Sequence, residues 1–577
     1  MKVAKKTMKS ISMLMLAGSL GLTGAVGSLS ISEHHVSAQE VKNEINYETS
    51  ANEFLEFVKA KNWEAAYTQL SQNLQSAVSK ETFSTLWTQL STPYGEVKET
   101  SLEGVKSDGV HTKVTYIVKA KQGAYKQVIK FNREGKIDDF LFDVITAPES
   151  FLNPSYNHPE NYTEKEVIIG EGKYALPGVL TVPKGKGPFP VVVLVHGSGP
   201  NDMDETMTVF KPFRDIAAGL ANDGVAVLRY DKRTRVHTVK TGMEPKFSIQ
   251  EETVIDANLA VDKLKSLPEI DSKNIFVLGH SQGAFALPLI VENDKKDDIK
   301  GIIGVAGPAG KFHDLMLWQM EEQLKLAEKM QAPKEQINAL KETLATYQKQ
   351  FGILKDPKNT KENIPADFLL QPGYWWFDLR DYVPTELAMK QDIPTLLLQG
   401  GKDLQVPVSE FEAWKSALEK RDNVDYKLYP NMFHTLVDYP GEPNWMTEYM
   451  TPGNVSESFL SDIAEWVKTG SIKSDEEKPE PKPGEQKPSP KVYWDGLLMK
   501  KGQIGKIEVV KPINLWKREG DKLTFVRVLK PGEQYRVYKY DNKFGGQYGL
   551  GDNHYITNMK GYVNYKTPSK AKLKELY

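Results

Sequence analysis

The residues best placed to do chemistry are Gly279-His280-Ser281-Gln282-Gly283, which follow the apolar run 275–278 and precede a helix-like stretch at 284–290. A serine flanked by glycines two positions away on either side, between a strand and a helix, specifies a turn too tight for flanking side chains and exposes the serine hydroxyl at the strand end. The bare five-residue pattern is weak; its context makes Ser281 a candidate nucleophile, with Gly279 and Gly283 forming the elbow. A serine hydroxyl is a poor nucleophile at neutral pH and needs a base that is itself oriented by a carboxylate. Both occur downstream in the order Ser, Asp, His. Asp403 lies just beyond the apolar run 395–398, and His434 comes shortly after the strand-like run 426–429.

Charge developing on a carbonyl oxygen also needs donors. One is expected from the backbone N–H of Gln282. The other is expected from His196-Gly197-Ser198-Gly199-Pro200 after the run 191–195, where Ser198 N–H is the first choice and Gly199 its neighbour. His280 adjoins the nucleophile but is read as structural. His111 and His554 fall outside this domain, and His158, His237 and His313 stand at no strand end expected to face the serine. No H-E-x-x-H or comparable ligand spacing occurs, so neither metal nor cofactor is expected.

The elements that must position these residues are apolar runs at 191–195, 225–228, 275–278, 302–305 and 395–398, separated by helix-like stretches. Continuous apolar strands between helices imply a parallel sheet buried on both faces. That βα rhythm extends over 165–470 and is interrupted by a helical insertion at 311–390, read as a cap. Within the cap, Tyr374-Trp375-Trp376-Phe377 either lines an acyl pocket, with Trp375 and Trp376 as its candidates, or packs the cap itself. Asp231-Lys232-Arg233 is read as a structural corner of ion pairs.

A chain of 577 residues, at about 150 per domain, favours about three or four domains over one. Residues 45–146 read as a small α+β domain, helices and then a meander in which Val110, Thr112, Val114, Tyr116 and Val118 alternate with other residues. The total absence of cysteine excludes disulfides, thiolate metal sites and a cysteine nucleophile. Lys2, Lys5, Lys6 and Lys9, the uncharged stretch 11–29 and Val36-Ser37-Ala38 read as a signal peptide over 1–38, cleaved before Gln39. This implies secretion and no stable membrane span after cleavage. Residues 471–490 form a Pro-, Lys- and Glu-rich linker. Residues 491–577 are a separate module of short strands with 18 Lys and Arg against 8 Asp and Glu. The chain total of 74 Lys and Arg against 76 Asp and Glu therefore conceals an acidic body and a basic tail. A basic, tyrosine-rich module on a flexible spacer suits an anionic cell-wall polymer; nucleic acid is not expected as a partner.

The motifs HGSGP at 196–200, RYDKR at 229–233, GHSQG at 279–283, GGKDLQVP at 400–407 and MFHTL at 432–436 resemble α/β-hydrolases of the bacterial carboxylesterase and dienelactone-hydrolase-like group. The resemblance implies an α/β-hydrolase fold with an inserted helical cap, a Ser281-Asp403-His434 triad, and hydrolysis of a small-molecule carboxylic ester of short or medium acyl chain through an acyl-enzyme. Dienelactone hydrolase proper uses cysteine, so that lactone chemistry is disfavoured. The 45–146 unit resembles a small domain preceding such hydrolases in some secreted or thermophilic esterases. Residues 491–577 resemble SH3-like β-barrel modules of secreted Bacillus-type proteins. A serine peptidase or thioesterase on the same fold, and an inactive cell-surface binding protein, are the alternatives.

Overall fold

The computed structural model describes residues 45–145, 151–472, 493–494, 497–500, 502–520, 522–551 and 553–569. The stretch read as a signal peptide, its expected cleavage site and most of the stretch read as a linker lie outside the described residues. The chain divides into two compact units, 1–473 and 474–577. Among the described residues no helix is long and apolar enough to cross a membrane.

The first unit opens with four helices, Tyr47–Lys59, Trp63–Thr68, Gln72–Ala77 and Lys80–Ser91. Each begins after a capping Asn46, Asn62, Ser71 or Ser79, whose side-chain oxygen accepts an N–H of the first turn. The helices pack on an antiparallel meander of β1 (Val97–Ser107), β2 (Thr112–Ala120), β3 (Gly123–Phe131) and β4 (Ile137–Asp143). The expected alternation holds on β2, where Val114, Tyr116 and Val118 are buried against Phe54, Phe83 and Trp87. The two short middle helices are too brief to leave a periodic signal.

An eight-stranded sheet follows, built from β5 (Tyr162–Ile169), β6 (Leu176–Pro183), β7 (Phe189–Val195), β8 (Ala226–Tyr230), β9 (Ile270–His280), β10 (Ile299–Val305), β11 (Thr395–Gly400) and β12 (Val424–Tyr429). Its order is β12-β11-β10-β9-β7-β8-β6-β5; the six strands from β12 to β8 pair in parallel, and β6 and β5 close one edge antiparallel. β7 explains the unbroken apolar runs: Val191, Val193 and Val195 enter the core on one face and Val192 and Leu194 the core on the other. β5 escaped the sequence reading because its central residues Thr163-Glu164-Lys165-Glu166 are exposed, as suits an edge strand.

Between β10 and β11 lie the helices Phe312–Lys329, Lys334–Lys355, Gly373–Leu379 and Pro384–Ala388, on the stretch expected to form the cap. The second unit is all-β, with described sheets ordered β13-β14, β18-β15-β22 and β17-β16-β21-β20-β19 around a small core including Ile507, Val509, Leu529 and Ile556. Its strands are β13 (Tyr493–Trp494), β14 (Leu497–Leu498), β15 (Gly505–Val509), β16 (Ile513–Glu519), β17 (Lys522–Leu529), β18 (Gln534–Val537), β19 (Lys539–Asp541), β20 (Gln547–Gly551), β21 (His554–Thr557) and β22 (Val563–Lys566).

Candidate active site

Ser281 immediately follows β9 and precedes the helix Gln282–Asn293, with φ +54° and ψ −116°. Non-glycine residues rarely occupy this region, and they do so where the surroundings over-determine the backbone. Ser281 N–H donates to the Val305 carbonyl at 2.9 Å, and the Ser281 carbonyl accepts from Phe285 N–H at 3.0 Å. The flanking glycines are obligatory for a measurable reason. A Cβ on Gly279 would stand 2.4 Å from the Gly283 carbonyl oxygen, and one on Gly283 would stand 2.2 Å from the Val195 carbonyl oxygen.

Asp403 and His434 sit on the loops after β11 and β12. These loops are laced together by Gly401 N–H to the Tyr429 carbonyl at 2.8 Å and Lys402 N–H to the Met432 carbonyl at 2.9 Å. Both side chains are buried, with His434 Nδ1 2.7 Å from Asp403 Oδ2. The other carboxylate oxygen, Oδ1, accepts the N–H groups of Gln405 at 2.7 Å and Val406 at 2.9 Å, which fixes the plane of the acid. With Nδ1–H donated to Asp403, the lone pair of His434 lies on Nε2, as a base requires. Ser281 Oγ makes no hydrogen bond to His434 in this structure; where a serine and a histidine act together, that contact is often long without substrate.

His280, read from sequence as structural, carries more of the geometry than that. It is buried, its Nδ1 stands 2.9 Å from Glu205 Oε2 and its Nε2 stands 2.9 Å from the His434 carbonyl. Both ring nitrogens face acceptors, so the ring carries two protons. Burial opposes that charge, but Glu205 overcomes it and holds His280 above the ordinary histidine value. Glu205, which burial would raise, is in turn held below the ordinary glutamate value by His280 and by the N–H of Gly197. Its Oε1 accepts that N–H at 2.6 Å, so one buried ion pair ties the His434 loop to the loop of His196 to Pro200.

That second loop passes close to the serine: a Cβ on Gly197 would lie 3.2 Å from Ser281 Cβ. The N–H groups of Ser198 and Gln282 have no hydrogen-bond partner among the described residues, and Gln282 is the first residue of its helix. Trp375 is buried, donates Nε1–H to Glu252 Oε2 at 2.8 Å, and packs with Phe312 at a ring separation of 5.5 Å. The half-buried Trp376 packs on Phe351 at 5.3 Å. Trp375 is thus engaged in the joint between cap and body.

Sequence reasoning overlooked Glu205 and Glu252, and it treated Lys232 as an ordinary corner. Only Lys232, inside RYDKR, stood in a recognisable motif. Away from the serine, His111, Asp138 and His237 have a metal-compatible spacing and are buried. The carboxylate of Asp138 is already occupied by His111 Nε2 at 3.0 Å, Ser71 Oγ at 2.6 Å and Lys240 Nζ. An ammonium at the central oxygen makes this an internal ion-pair network rather than a donor set for a cation.

The strand order, the serine on the turn after β9 and the paired Asp403 and His434 on successive strand ends define an α/β-hydrolase. The model of the serine aminopeptidase S33 family matches residues 187–440. An esterase of Thermotoga maritima, EstD, is 34% identical over 415 residues, covering 72% of this chain and 93% of the relative. The chain belongs to this family and is a serine hydrolase. Among solved structures, an esterase of Pyrococcus furiosus is 16% identical, covers 56% of this chain and 97% of its own, and has a TM-score of 0.34. Est1E from Butyrivibrio proteoclasticus is 16% identical, covers 52% and 96%, and has a TM-score of 0.32.

Proposed function

We propose that this protein hydrolyses carboxylic esters of short or medium acyl chain. Ser281 Oγ attacks the acyl carbon while His434 Nε2 accepts the hydroxyl proton. The tetrahedral oxyanion is held by the N–H groups of Ser198 and Gln282. The C–O bond to the alcohol then breaks, the alcohol leaves with the proton from His434, and an ester of Ser281 remains. Water, deprotonated by His434, attacks that ester; the acid departs and the serine regains its proton. Asp403 keeps the imidazole in the Nδ1–H tautomer and balances its transient charge. Trp376 borders the acyl chain. No cofactor enters.

The observation that carries this reading is the φ of +54° at Ser281 on the turn into the helix Gln282–Asn293, in a chain that also pairs His434 with Asp403 at 2.7 Å. The relative named an esterase supports an ester over an amide or thioester. The test is a panel crossing acyl length with p-nitrophenyl ester, thioester and anilide leaving groups. Ester turnover that disappears in Ser281→Ala, with unchanged thermal unfolding, is expected; wild-type turnover in that variant, or activity confined to anilides, refutes the reading.

The same proposal has the enzyme exported and held on an anionic cell wall by residues 491–577, a basic module read as SH3-like. Its support is the leader pattern and the 18 Lys and Arg against 8 Asp and Glu. Deleting 491–577 should release the enzyme from isolated walls without altering turnover.

A further inference from the structure

We propose that Lys232 is a positioning residue of the oxyanion hole, orienting the Gly197–Ser198 peptide and the first turn of the elbow helix together. This rests on the reading of Ser198 and Gln282 N–H as the oxyanion donors. Lys232 follows β8, with only 3% of its side chain exposed. Its Nζ donates to the Gly197 carbonyl at 2.8 Å, to Gln282 Oε1 at 3.0 Å and to Glu252 Oε1 at 2.8 Å. An ammonium has three protons, and all three are used.

The contact with Gly197 matters because the carbonyl of Gly197 and the N–H of Ser198 belong to one trans peptide and point in opposite directions. Holding the carbonyl fixes the Ser198 N–H on the opposite side of that peptide, away from Lys232, in a loop that passes close to Ser281 at Gly197. Glu205 fixes the preceding peptide by accepting Gly197 N–H, so both planes flanking Gly197 are set by buried charged groups. Asn201 Nδ2 also donates to the Gly197 carbonyl, at 3.1 Å, so loss of Lys232 loosens this peptide without freeing it. The bond to Gln282 reaches the residue whose N–H is the second donor. One ammonium therefore spans both halves of the hole.

The anchor is itself held on two sides. Glu252 lies in a π-helical turn, Gln250–Val254, and its Oε2 accepts Trp375 Nε1–H at 2.8 Å from the cap; such turns often mark functional positions. The chain leaving Lys232 is clamped by the N-terminal domain. Lys130 Nζ donates to the carbonyls of Arg235 at 2.6 Å and Val236 at 2.9 Å, while Asp139 accepts the N–H groups of Val239 at 3.1 Å and Lys240 at 3.2 Å. Lys113 stands 3.5 Å from Asp231. The N-terminal domain thereby braces the corner that sets the oxyanion donors.

The experiment compares wild type, Lys232→Met and the charge-balanced pair Lys232→Met with Glu252→Gln on a p-nitrophenyl ester, and titrates each with a trifluoromethyl ketone, which binds serine as a tetrahedral oxyanion. Loosened preorganised donors act on the transition state, so kcat should fall by about 10- to 100-fold with KM changed by no more than about twofold. Affinity for the ketone should fall in the same proportion. A structural role alone would move thermal unfolding but not this split. Wild-type kcat, a KM effect alone, or unchanged ketone affinity beside a lowered kcat overturns the assignment. Should the variants not fold, the wild-type ketone adduct decides by crystallography. Its oxygen must lie on Ser198 and Gln282 N–H with the Gly197 carbonyl still on Lys232, and any other placement refutes the proposal. If Ser281→Ala is inactive while Lys232→Met equals wild type, the role of Lys232 fails alone. If Ser281→Ala is active, the underlying reading fails instead.

Discussion

Asp403 Oδ2 stands 2.7 Å from His434 Nδ1, while Asp403 Oδ1 is committed to two backbone N–H groups. This division of labour determines what Asp403→Asn must do. The carbonyl oxygen of the asparagine has to take the Oδ1 position to satisfy Gln405 and Val406, which turns its NH2 toward His434. The imidazole must then accept at Nδ1 and carry its proton on Nε2, leaving no lone pair on the atom proposed to take the Ser281 proton. We expect kcat to fall by about 10³- to 10⁴-fold with the fold retained, measured by ester turnover alongside thermal unfolding. A loss below about tenfold would move the acid elsewhere.

The strain at Ser281 gives a second expectation. Ser281→Ala and Ser281→Gly should both be inactive, but glycine relieves the positive φ that alanine keeps. After allowing for glycine's greater freedom in the unfolded chain, Ser281→Gly should be more stable than Ser281→Ala by about 1 kcal/mol in urea unfolding. Equal stabilities would mean that the elbow is unstrained.

The parts of this site legible in the sequence are those fixed by local pattern. The glycines at 279 and 283 follow from a turn that excludes Cβ atoms, and Asp403 and His434 follow from strand ends that the apolar runs mark. Glu205, Lys232 and Glu252 were not legible as a group. Their relation depends on β8, the π-helical turn and the loop after β7 meeting in space, and a charged residue in sequence carries no sign of whether it will be buried. β5 was hidden for the converse reason: half of an edge strand faces water, so its polar residues dilute the apolar signal.

Gly283→Ala tests the close approach of elbow and β7. The added methyl meets the Val195 carbonyl oxygen at 2.2 Å, and backbone cannot step aside as a side chain can. We expect a loss of about 3 kcal/mol or more in urea unfolding. Gly104→Ala, where nothing lies within 4 Å of the new Cβ, is the control and should stay within about 0.5 kcal/mol of wild type. Similar losses in both would remove the steric explanation.

His237 sets an acid limit on stability. Its Nε2–H donates to the Ala175 carbonyl at 2.8 Å, its Nδ1 is buried without a partner among the described residues, and the rings of His111 and Tyr174 and the ammonium groups of Lys240 and Lys130 surround it. Burial first, then Lys240 and His111, hold its pKa well below the ordinary value. The unfolded chain therefore takes up this proton near pH ~6.5 while the folded protein resists it, so the contribution is complete above that pH and is lost as pH falls. His196, pushed down to about 4 chiefly by burial, acts in the same direction. His280, held above the ordinary value, acts in the opposite one, its contribution being complete below the unfolded value and lost as pH rises through the folded value. His237→Gln keeps an N–H for the Ala175 carbonyl and removes the titration. Its melting temperature should decline less steeply than that of wild type between about pH 6.5 and 4, by calorimetry across that range. Parallel profiles would show that His237 takes no part in the acid transition, and the slope would then fall to His196 and to His313, which burial likewise pushes down to about 4.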